Sequence, residues 1–437
     1  MKNELLEKIE NKEIRIGVIG LGYVGLPLAV EKALAGYDVT GFDVQQEKVN
    51  KVNQGINYIG DVVAGDLQKL AKERKLKATT DYGFIKDMDF IAICVPTPLN
   101  AHKEPDLSYV IKSSEEIGKY LTPYTVVVLE STTYPGTTEE IVLPILEEKS
   151  GLKCGEDFYL GFSPERVDPG NLIYKTKNTP KVVGGVGKDA TEVIASMYRH
   201  VLQGDVMEVS SPRVAEMSKL LENTYRHVNI ALANEMAIIC HKMGINVWEV
   251  IEAAKTKPYG FQAFYPGPGV GGHCIPLDPY YLVWKAKEFG HTAKLIEASG
   301  EINDYMPEYV VQRAADILNK DKKPLNGSKI LVLGVAYKQD IDDYRESPAV
   351  KVMSELRRKG AEVSFYDPYI KEVSYEGMRY SGADNLSEST ARNSDLVIIT
   401  TAHTGTNYTA IADTTTRILD AKNVYKFFMG RENIETL

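Results

Sequence analysis

The sequence contains few cysteines and lacks any long apolar run. Its 437 residues include 4 cysteines, Cys94, Cys154, Cys240 and Cys274, which are too few and too scattered for a disulfide framework or a CxxC metal site. No apolar stretch reaches the roughly 20 residues of a membrane-spanning helix. The charged first ten residues contain no apolar signal-peptide core. We therefore expect a protein of the reducing cytoplasm, without a metal site and without a membrane partner.

Basic residues are also in deficit. The chain has 51 Lys and Arg against 60 Asp and Glu, a formal net charge of −9. General binding to nucleic acid or to an acidic membrane requires a basic surface, so the charge argues against both partners. A local basic pocket for phosphates remains compatible with it. The length corresponds to roughly two to four domains.

The N-terminal stretch carries a dinucleotide-binding pattern. An apolar strand at 14–20 runs into Gly20-Leu-Gly22-Tyr-Val-Gly25, a helix at 26–35 follows, and a second strand ends at Asp43. The motif alone is weak evidence, but this order of elements is specific. An acid at Asp43 accepts hydrogen bonds from a ribose and repels a 2′-phosphate, which favours NAD over NADP. The alternative is an unliganded turn with Asp43 at a solvated strand end. The cofactor-binding residues predicted here are Gly20, Gly22, Tyr23, Val24, Gly25 and Asp43.

Further apolar strands are predicted at 89–95, 124–130, 158–162, 181–185 and 205–209, with helical stretches between most of them. This alternation predicts a doubly wound parallel sheet of the α/β class. Ligands of such sheets gather at the carboxyl ends of the strands. Thr97, Thr132 and Glu165 follow three of these strands and are therefore candidate site residues, with Thr97 and Thr132 predicted to bind the cofactor.

A long helix is predicted from Ser211-Pro212 to about Met243, where Gly244 ends it. It corresponds to about 48 Å of helix and suggests a spine between domains. Lys219 and Asn223 are four residues apart and share a face of this helix. Taken alone, this spacing favours a solvated surface pair over a functional one.

The stretch Tyr265-Pro-Gly-Pro-Gly-Val-Gly-Gly-His-Cys274-Ile-Pro-Leu-Asp278 places one cysteine and one acid beside a glycine-rich loop. Glycines at this density let backbone N–H groups approach a ligand closely. Cys274 is therefore a candidate nucleophile, although a lone cysteine is more often a small core residue.

A polar linker at 319–327 precedes a second α/β unit, with strands at 329–335, 361–367 and 395–401 and a helix at 347–359. Gly334 stands alone after the first of these strands, so we expect a Rossmann-like domain that does not bind a dinucleotide in the usual way. Lys338 and Arg345 place two cations at the carboxyl end of that strand, where they suit phosphates or the neighbouring domain.

Seven motifs in this order resemble those of the UDP-glucose/GDP-mannose dehydrogenase family, over about residues 14–430. They are Gly20-x-Gly-x-x-Gly25, Val95-Pro-Thr-Pro98, Glu130-Ser-Thr132, Ser163-Pro-Glu-Arg166, Lys219-x-x-x-Asn223, Gly271-Gly-His-Cys274-x-Pro-x-Asp278 and Arg345-Glu-Ser-Pro348. The resemblance implies two Rossmann-like doubly wound domains, joined by a central helical domain with a long spine helix. The implied boundaries are 1–210 for NAD binding, 211–320 for the helical domain that forms a homodimer, and 321–437 for binding a UDP-sugar.

The family oxidises C6 of a nucleotide sugar from alcohol to carboxylate with two NAD. The resemblance implies that Cys274 forms a thiohemiacetal and then a thioester. Lys219 and Asn223 are implied to stabilise the oxyanions, and Asp278 to assist proton transfer through water. Glu165 is implied as the general base of thioester hydrolysis, with Thr132 at the same water. His273 adjoins Cys274, but consecutive side chains usually point apart, so no Cys–His dyad is proposed.

The resemblance also implies the substrate contacts. Glu165, Lys219 and Asn223 contact the sugar, and Arg166 is a further candidate. The loop containing Tyr265, Gly267 and Gly271 is implied to wrap the substrate, Lys338 to hold the nucleotide end, and Arg345 to reach the cofactor. The sequences at 256–261, 265–269 and 163–171 most resemble the UDP-N-acetylglucosamine 6-dehydrogenase branch.

Several alternatives stay open. Within the family, the substrate could instead be UDP-N-acetylmannosamine or UDP-glucose. Outside it, the alternatives are a two-electron dehydrogenase of the hydroxyacid type, which needs no nucleophilic cysteine, and a non-catalytic NAD-binding scaffold.

Overall fold

A computed structural model describes residues 1–168, 170–427 and 431–437 of the chain. Contacts between Cα atoms divide the chain into two compact units. The N-terminal unit comprises Met1–Glu222 and Tyr280–His291, and the C-terminal unit comprises Asn223–Pro279 and Thr292–Leu437. The three-domain division at 1–210, 211–320 and 321–437 stays a prediction.

The N-terminal unit is built on a sheet of short apolar strands. They are β1 (Arg15–Ile19), β2 (Asp38–Phe42), β3 (Leu76–Thr79), β4 (Phe90–Ile93), β5 (Val126–Leu129), β6 (Tyr159–Phe162), β7 (Lys181–Gly185) and β8 (Val206–Glu208). Their order is β3-β2-β1-β4-β5-β6-β7-β8, and the first six follow the strand order of a dinucleotide-binding Rossmann sheet. Strands β4, β5 and β6 are buried along their whole length, as expected of a sheet covered on both faces.

One strand pair differs from the parallel arrangement predicted from the sequence. Strand β7 pairs antiparallel with β6, with Gly161 opposite Gly185 and Phe162 opposite Gly184. A parallel return requires a crossover segment, usually a helix. Residues 163–168 and 170–180, which join the two strands, contain no helix. Strand β7 therefore runs back beside β6 in the opposite direction.

Helices cover this sheet. They are α1 (Lys2–Glu10), α2 (Gly25–Leu34), α3 (Gln46–Asn53), α4 (Ala64–Lys72), α5 (Ser108–Tyr120), α6 (Leu143–Ser150) and α7 (Lys188–Val201), with a short 3-10 helix at Tyr82–Asp87 and a π-helical turn at Thr138–Val142. Their inward side chains and the two faces of the sheet form two large apolar clusters, which hold the strands in place.

The long helix predicted from the sequence is present as α8 (Pro212–Met243) and has 32 residues. Gly244 follows it with a φ of 68°, and the N–H of Ile245 donates to the carbonyl of Cys240 at 2.8 Å, which closes the helix end. Helix α8 contributes residues to both units. Several of its apolar side chains are exposed, among them Met217, Leu221 and Leu232. The homodimer expected through this region stays a prediction.

The C-terminal unit combines helices with a smaller parallel sheet. The helices after α8 are α9 (Val247–Lys255), α10 (Asp278–Glu288, which enters the N-terminal unit at Tyr280), α11 (Lys294–Lys320), α12 (Pro348–Arg358), α13 (Glu388–Arg392) and α14 (Tyr408–Thr414). The strands are β9 (Lys329–Leu333), β10 (Glu362–Tyr366), β11 (Glu372–Tyr375), β12 (Met378–Ser381), β13 (Leu396–Ile399), β14 (Ile418–Asp420) and β15 (Ile434–Thr436). The sheet order is β10-β9-β13-β14-β15, and β11 and β12 form a separate hairpin. This arrangement confirms the second Rossmann-like sheet. No helix among the described residues has the length and apolar character needed to cross a membrane.

Candidate active site

The glycine motif forms the turn between β1 and α2. Gly20 has a φ of 90°, and a Cβ there would lie 2.6 Å from the carbonyl oxygen of Cys94. A Cβ on Gly25 would lie 1.8 Å from the carbonyl oxygen of Gly20, so α2 packs directly against the turn. A Cβ on Gly22 would meet no described atom within 4 Å. The close packing at two glycines and the open side at the third fit a dinucleotide pyrophosphate.

Asp43 directly follows β2 and is largely buried. Its two carboxylate oxygens accept the N–H groups of Leu21 and Gln45, each at 2.9 Å, and the carboxylate thereby ties the glycine turn to the end of β2. The Lys48 ammonium lies 3.6 Å from the same carboxylate. The sequence prediction of NAD specificity did not take this cation into account. Tyr23 is exposed at the turn, and Val24 immediately precedes α2. The hydroxyl of Tyr58 donates to the carbonyl of Leu21 at 2.8 Å and supports the turn from a position that no motif indicated.

Thr97 and Thr132 follow β4 and β5, at the same edge of the sheet. The hydroxyl of Thr97 donates to the carbonyl of Thr132 at 2.7 Å. The hydroxyl of Tyr281 donates in turn to the carbonyl of Thr97. The structure therefore brings together two of the residues predicted at the strand ends, and adds a tyrosine from the segment that returns to this unit.

Glu165 follows β6 at this edge. One carboxylate oxygen accepts the N–H groups of Arg166 and Val167, at 2.8 and 2.9 Å, and the other lies 3.4 Å from the Lys181 ammonium. Burial opposes the charge of Glu165, but Lys181, the two N–H donors and the charge of Lys219 together lower its pKa below the ordinary value. Glu165 is therefore held as a carboxylate, the form that a general base requires.

Arg166 and Lys219 complete the predicted residues of the N-terminal unit. The guanidinium of Arg166 contacts Glu222 at 2.8 Å and donates to the carbonyl of Pro180 at 3.0 Å, so much of its hydrogen-bonding capacity is used within the protein. Lys219 is a largely buried residue of α8. Its charge acts on Glu165, so it does not have the environment of the solvated surface lysine that the sequence left as an alternative.

The cysteine loop belongs to the C-terminal unit and is anchored to α8 at three points. The amide of Asn223 donates to Asp278 at 2.5 Å, and Nδ1 of His227 lies 3.0 Å from the carbonyl of Ile275. The amide oxygen of Asn234 accepts the N–H of Gly267 at 2.9 Å. Three polar residues on one helix thus hold both ends of the loop.

Cys274 itself lies where the loop becomes α10. Its carbonyl accepts the N–H groups of Leu277 and Asp278, at 3.1 and 2.9 Å, which starts the helix. Asp278 is thereby fixed one turn beyond the cysteine, with its side chain on Asn223. The structure therefore brings together three residues that the sequence predicted as catalytic, Cys274, Asp278 and Asn223.

Two further asparagines support this loop and were missed in the sequence. The amide of Asn234 donates to the side chain of Asn303 on α11 at 2.9 Å, and Asn303 donates to the carbonyl of His227 at 3.2 Å. Asn223, His227 and Asn234 occur at i, i+4 and i+11, a spacing that returns to one face of a helix. That polar periodicity is the signal that could have indicated Asn234. Asn303 lies on another helix and has no such signal.

The remaining predicted residues lie in the same unit. The hydroxyl of Tyr265 donates to Glu252 at 2.6 Å, and its ring stacks on Trp248 with a centroid separation of 5.9 Å. A Cβ on Gly271 would lie 2.7 Å from the Cβ of Tyr337, so the loop requires glycine there for close packing. Arg345 makes a bidentate pair with Asp343, with Nε and an oxygen 2.9 Å apart. Lys338 lies between β9 and α12, as predicted. Contact of these residues with substrate or cofactor stays a prediction.

The environment of His273 affects the charge of its imidazole, and the expectation of no Cys–His dyad stays a prediction. Burial lowers the pKa of His273, and the charge of Arg345 lowers it further. The imidazole is therefore held neutral. A neutral imidazole does not supply the positive charge that stabilises a thiolate in an ion pair.

Comparison with known proteins gives three consecutive family matches. The UDP-glucose/GDP-mannose dehydrogenase family, NAD binding domain, matches residues 14–202. The central domain of the same family matches residues 213–305. Its UDP binding domain matches residues 331–427. Together the three matches span most of the chain.

Similar proteins and structures agree with these matches. The chain is 38% identical to the UDP-N-acetyl-D-glucosamine 6-dehydrogenase of Pseudomonas aeruginosa, over 90% of this chain and 91% of that protein. It is 39% identical to Protein CapL of Staphylococcus aureus, over 89% of each. The solved UDP-D-ManNAc dehydrogenase of Pyrococcus horikoshii superposes with a TM-score of 0.86 at 37% identity, over 94% of this chain and 96% of that one.

Proposed function

The chain belongs to the UDP-glucose/GDP-mannose dehydrogenase family of NAD-dependent UDP-sugar dehydrogenases, and we propose that it oxidises C6 of UDP-N-acetylglucosamine to the carboxylate. Two NAD and one water are consumed for each sugar. The product is a UDP-linked uronic acid, which would serve as a precursor for surface polysaccharide. The proposed assembly is a homodimer through the central helical region.

The observation that supports this proposal most directly is the arrangement at the start of α10. Asn223 is hydrogen-bonded to Asp278, and the N–H of Asp278 is bonded to the carbonyl of Cys274. An amide nitrogen carries two protons, so the bond to Asp278 leaves a second N–H on the same atom for an oxyanion. A nucleophile, an oxyanion donor and an acid are what a thioester-forming oxidation needs from the protein.

The residues that would hold NAD are the turn at Gly20, Gly22 and Gly25, with Asp43 at the ribose. When bound, NAD accepts a hydride from C6 in each of the two oxidations. The hydroxyl proton of the first oxidation leaves through water, assisted by Asp278.

The chemistry of the protein itself begins at the aldehyde. The Cys274 sulfur adds to the aldehyde carbon and forms a C–S bond, and the oxygen becomes an oxyanion. The Lys219 ammonium and the Asn223 amide stabilise that charge. Loss of the second hydride converts this thiohemiacetal to a thioester, so the aldehyde does not leave the enzyme between the two oxidations.

Hydrolysis completes the reaction. Glu165 accepts a proton from a water, whose oxygen adds to the thioester carbon. The C–S bond then breaks, Cys274 leaves as a thiolate, and the acid is released. Thr132 is proposed to hold the same water. The lowered pKa of Glu165 supports its role as a base at neutral pH.

The second candidate substrate is UDP-N-acetylmannosamine. The Pyrococcus horikoshii enzyme with TM-score 0.86 carries that name, and its alignment covers 94% of this chain. The two substrates differ in configuration at one carbon. UDP-glucose is the third candidate, and Arg166 together with the loop at Tyr265 is where selection against it would occur.

The test is NADH release with UDP-N-acetylglucosamine, UDP-N-acetylmannosamine and UDP-glucose in parallel. We expect two NADH per sugar, with the highest kcat/KM for UDP-N-acetylglucosamine. One NADH per sugar would contradict the four-electron mechanism, and a clear preference for another sugar would contradict the substrate assignment.

A matched pair of cysteine variants tests the nucleophile. Cys274→Ser should abolish formation of the acid, because serine is a much weaker nucleophile at neutral pH. Cys154 is buried to an intermediate degree, as Cys274 is, and lies outside the proposed site. Cys154→Ser should therefore still yield two NADH per sugar. Full acid formation by Cys274→Ser would remove the cysteine from the mechanism.

A further inference from the structure

A group of buried charges lies behind the carboxyl end of β6, and the sequence motifs identified only part of it. Glu130 follows β5, Lys181 begins β7, and Lys32 lies on α2; their exposed fractions are 1%, 3% and 0%. Glu165, the proposed base, is the fourth member. Four ionisable side chains in one interior are costly unless they compensate one another.

Lys181 connects the two carboxylates. Its ammonium lies 2.5 Å from Oε2 of Glu130 and 3.4 Å from Oε2 of Glu165. The second oxygen of Glu130 accepts the hydroxyl of Tyr198, and the second oxygen of Glu165 accepts two backbone N–H groups. Both carboxylates are therefore oriented through both of their oxygens, and Lys181 is the cation that they share.

The Lys181 ammonium compensates the negative charges of Glu130 and Glu165. Two carboxylates close together in a dry interior cannot both ionise without a compensating charge, and one of them would take up a proton. Burial opposes the charge of Lys181, yet Glu130 and Glu165 raise its pKa above the ordinary value. The pKa of Glu165 is correspondingly lowered, although its burial acts in the opposite direction.

The other groups that face this cluster do not replace Lys181. Burial lowers the pKa of Lys32 to about 8, and its ammonium lies 4.5 Å from the ring centre of Tyr198. Lys32 therefore loses its charge in mildly alkaline solution. Burial raises the pKa values of the Cys94 thiol and the Tyr198 hydroxyl, so both are neutral near pH 7. Lys219 acts on Glu165 by charge alone, with a smaller effect than Lys181.

We propose that Lys181 is a positioning residue that holds the Glu165 carboxylate ionised and oriented for proton abstraction from the hydrolytic water. The inference rests on the proposed function, in which Glu165 is the base of thioester hydrolysis. Lys181 acts through Glu165 and contacts neither substrate nor cofactor in this scheme.

The pH dependence of kcat in the full-length enzyme, with NAD and UDP-sugar saturating, tests the proposal. Lys181→Met removes the charge and keeps the length of the side chain. We expect the acid limb of its profile to move up by one pH unit or more, with the loss of activity greatest at the acid end of the profile and substantial recovery at pH 9. Lys181→Arg should restore a profile close to that of the wild type. An equal loss at every pH would show a purely structural role and overturn the proposal.

Glu130→Gln should shift the acid limb of the pH profile in the opposite direction. This test does not depend on whether the Lys181 variants fold. Without Glu130, Lys181 compensates Glu165 alone, so the acid limb should move to lower pH. An upward shift in Glu130→Gln would contradict the proposal.

Infrared titration of the carboxylates, with Glu165→Gln used to assign the Glu165 band, separates this inference from the proposed function. If no UDP-sugar is oxidised, the function is wrong, and the Glu165 band still shows whether its titration moves up in Lys181→Met, moves down in Glu130→Gln and stays close to that of the wild type in Lys181→Arg. If sugar is oxidised and the band titrates alike in every variant, only the role of Lys181 is wrong.

Discussion

The two Rossmann-like sheets have the same backbone geometry at the ends of their first two strands. Gly20 after β1 and Gly334 after β9 have φ values of 90° and 82°. A Cβ on them would lie 2.6 and 2.3 Å from the carbonyl oxygens of Cys94 and Thr401. In both, an acid directly after the second strand accepts an N–H from the residue after the glycine. Asp43 accepts that of Leu21 at 2.9 Å in the first sheet.

The second sheet uses its acid differently. Asp367 accepts the N–H groups of Val335 and Ala336 at 2.7 and 3.1 Å, and Nε2 of His403 lies 2.9 Å from the same oxygen. Nδ1 of His403 accepts the N–H of Asp340 at 2.9 Å, so the proton of a neutral imidazole is on Nε2. Asp367 has 0% exposure. Its carboxylate is therefore covered from within the protein.

The connection to the next helix also differs. Helix α2 begins at Gly25, five residues after Gly20, whereas α12 begins only at Pro348, 14 residues after Gly334. The short connection places a helix start directly at the turn, where the proposed NAD pyrophosphate would bind. The long connection carries Lys338 and Arg345 instead. The same backbone geometry thus leads into a short glycine turn in one sheet and, in the other, into a long loop that carries both cations and acids.

The largest effect predicted by this comparison is at Gly334. Gly334→Ala forces a Cβ against the Thr401 carbonyl at an unfavourable φ and should lower the unfolding free energy by about 4 kcal/mol. Gly327 has a φ of 81° with no described atom within 4 Å of its Cβ position, so it is a matched control. Gly327→Ala should cost only about 1 kcal/mol. Urea unfolding measures both free energies. Equal losses in the two variants would show that the backbone strain at positive φ accounts for the whole effect and that the contact with the Thr401 carbonyl adds nothing.

The next largest effect is on the unfolding free energy and concerns Lys32, a buried cation on α2. Lys32 is fully buried, and the lowering of its pKa from 10.5 to about 8 corresponds to roughly 3 kcal/mol. Above pH 8 the unfolded chain binds the additional proton, so wild-type stability should rise up to about pH 10.5. Lys32→Met should therefore be more stable than the wild type at pH 7, with the advantage vanishing at high pH. Urea midpoints across this range check it. The exposed Lys69, changed to Met, should show no such gain.

A substitution at Gly22 should weaken NAD binding without changing the stability of the protein. A Cβ there meets open space, so Gly22→Ala should leave the urea midpoint unchanged. The same methyl group would occupy the approach of the pyrophosphate and should weaken NAD binding by at least thirtyfold, about 2 kcal/mol. Fluorescence titration with NAD measures this. Gly65 also has an open Cβ position, on α4, and Gly65→Ala is the control that should retain affinity. Unchanged affinity in Gly22→Ala would contradict the placement of NAD.

The smallest effect concerns the two acids. Asp43→Asn removes the charge that disfavours a 2′-phosphate, and Lys48 lies close by, so the preference for NAD over NADP should fall about fivefold, about 1 kcal/mol. Asp367→Asn should leave that ratio unchanged, since its carboxylate is buried against His403. Affinities for both cofactors test the pair. A change of the ratio in Asp367→Asn would indicate that the second sheet also contributes to dinucleotide binding.

Particular residues show how much of the fold and of the candidate site could be predicted from the sequence. The pattern around Gly20, Gly22, Gly25 and Asp43 is local, and its geometry matches the prediction because a turn followed by a helix depends on neighbouring residues. Helix α8 was predicted with its ends at Pro212 and Gly244 for the same reason. Lys181 and Asn234 were missed as functional candidates, because a lysine starting a strand and an asparagine in a helix have no local signature.

Sequence by itself determined most of the strands, the spine helix, the glycine turns and the identity of Cys274 as the candidate nucleophile. These depend on periodicity and on residue types whose conformational preferences act over a few positions. Strands β3, β11, β12, β14 and β15 were not predicted. Only the tertiary structure decided that β7 returns antiparallel, that Asn234 holds the loop at Gly267, and that Lys181 lies between Glu130 and Glu165. Those relations join residues far apart in the chain. They arise because buried polar groups must find partners wherever packing places them.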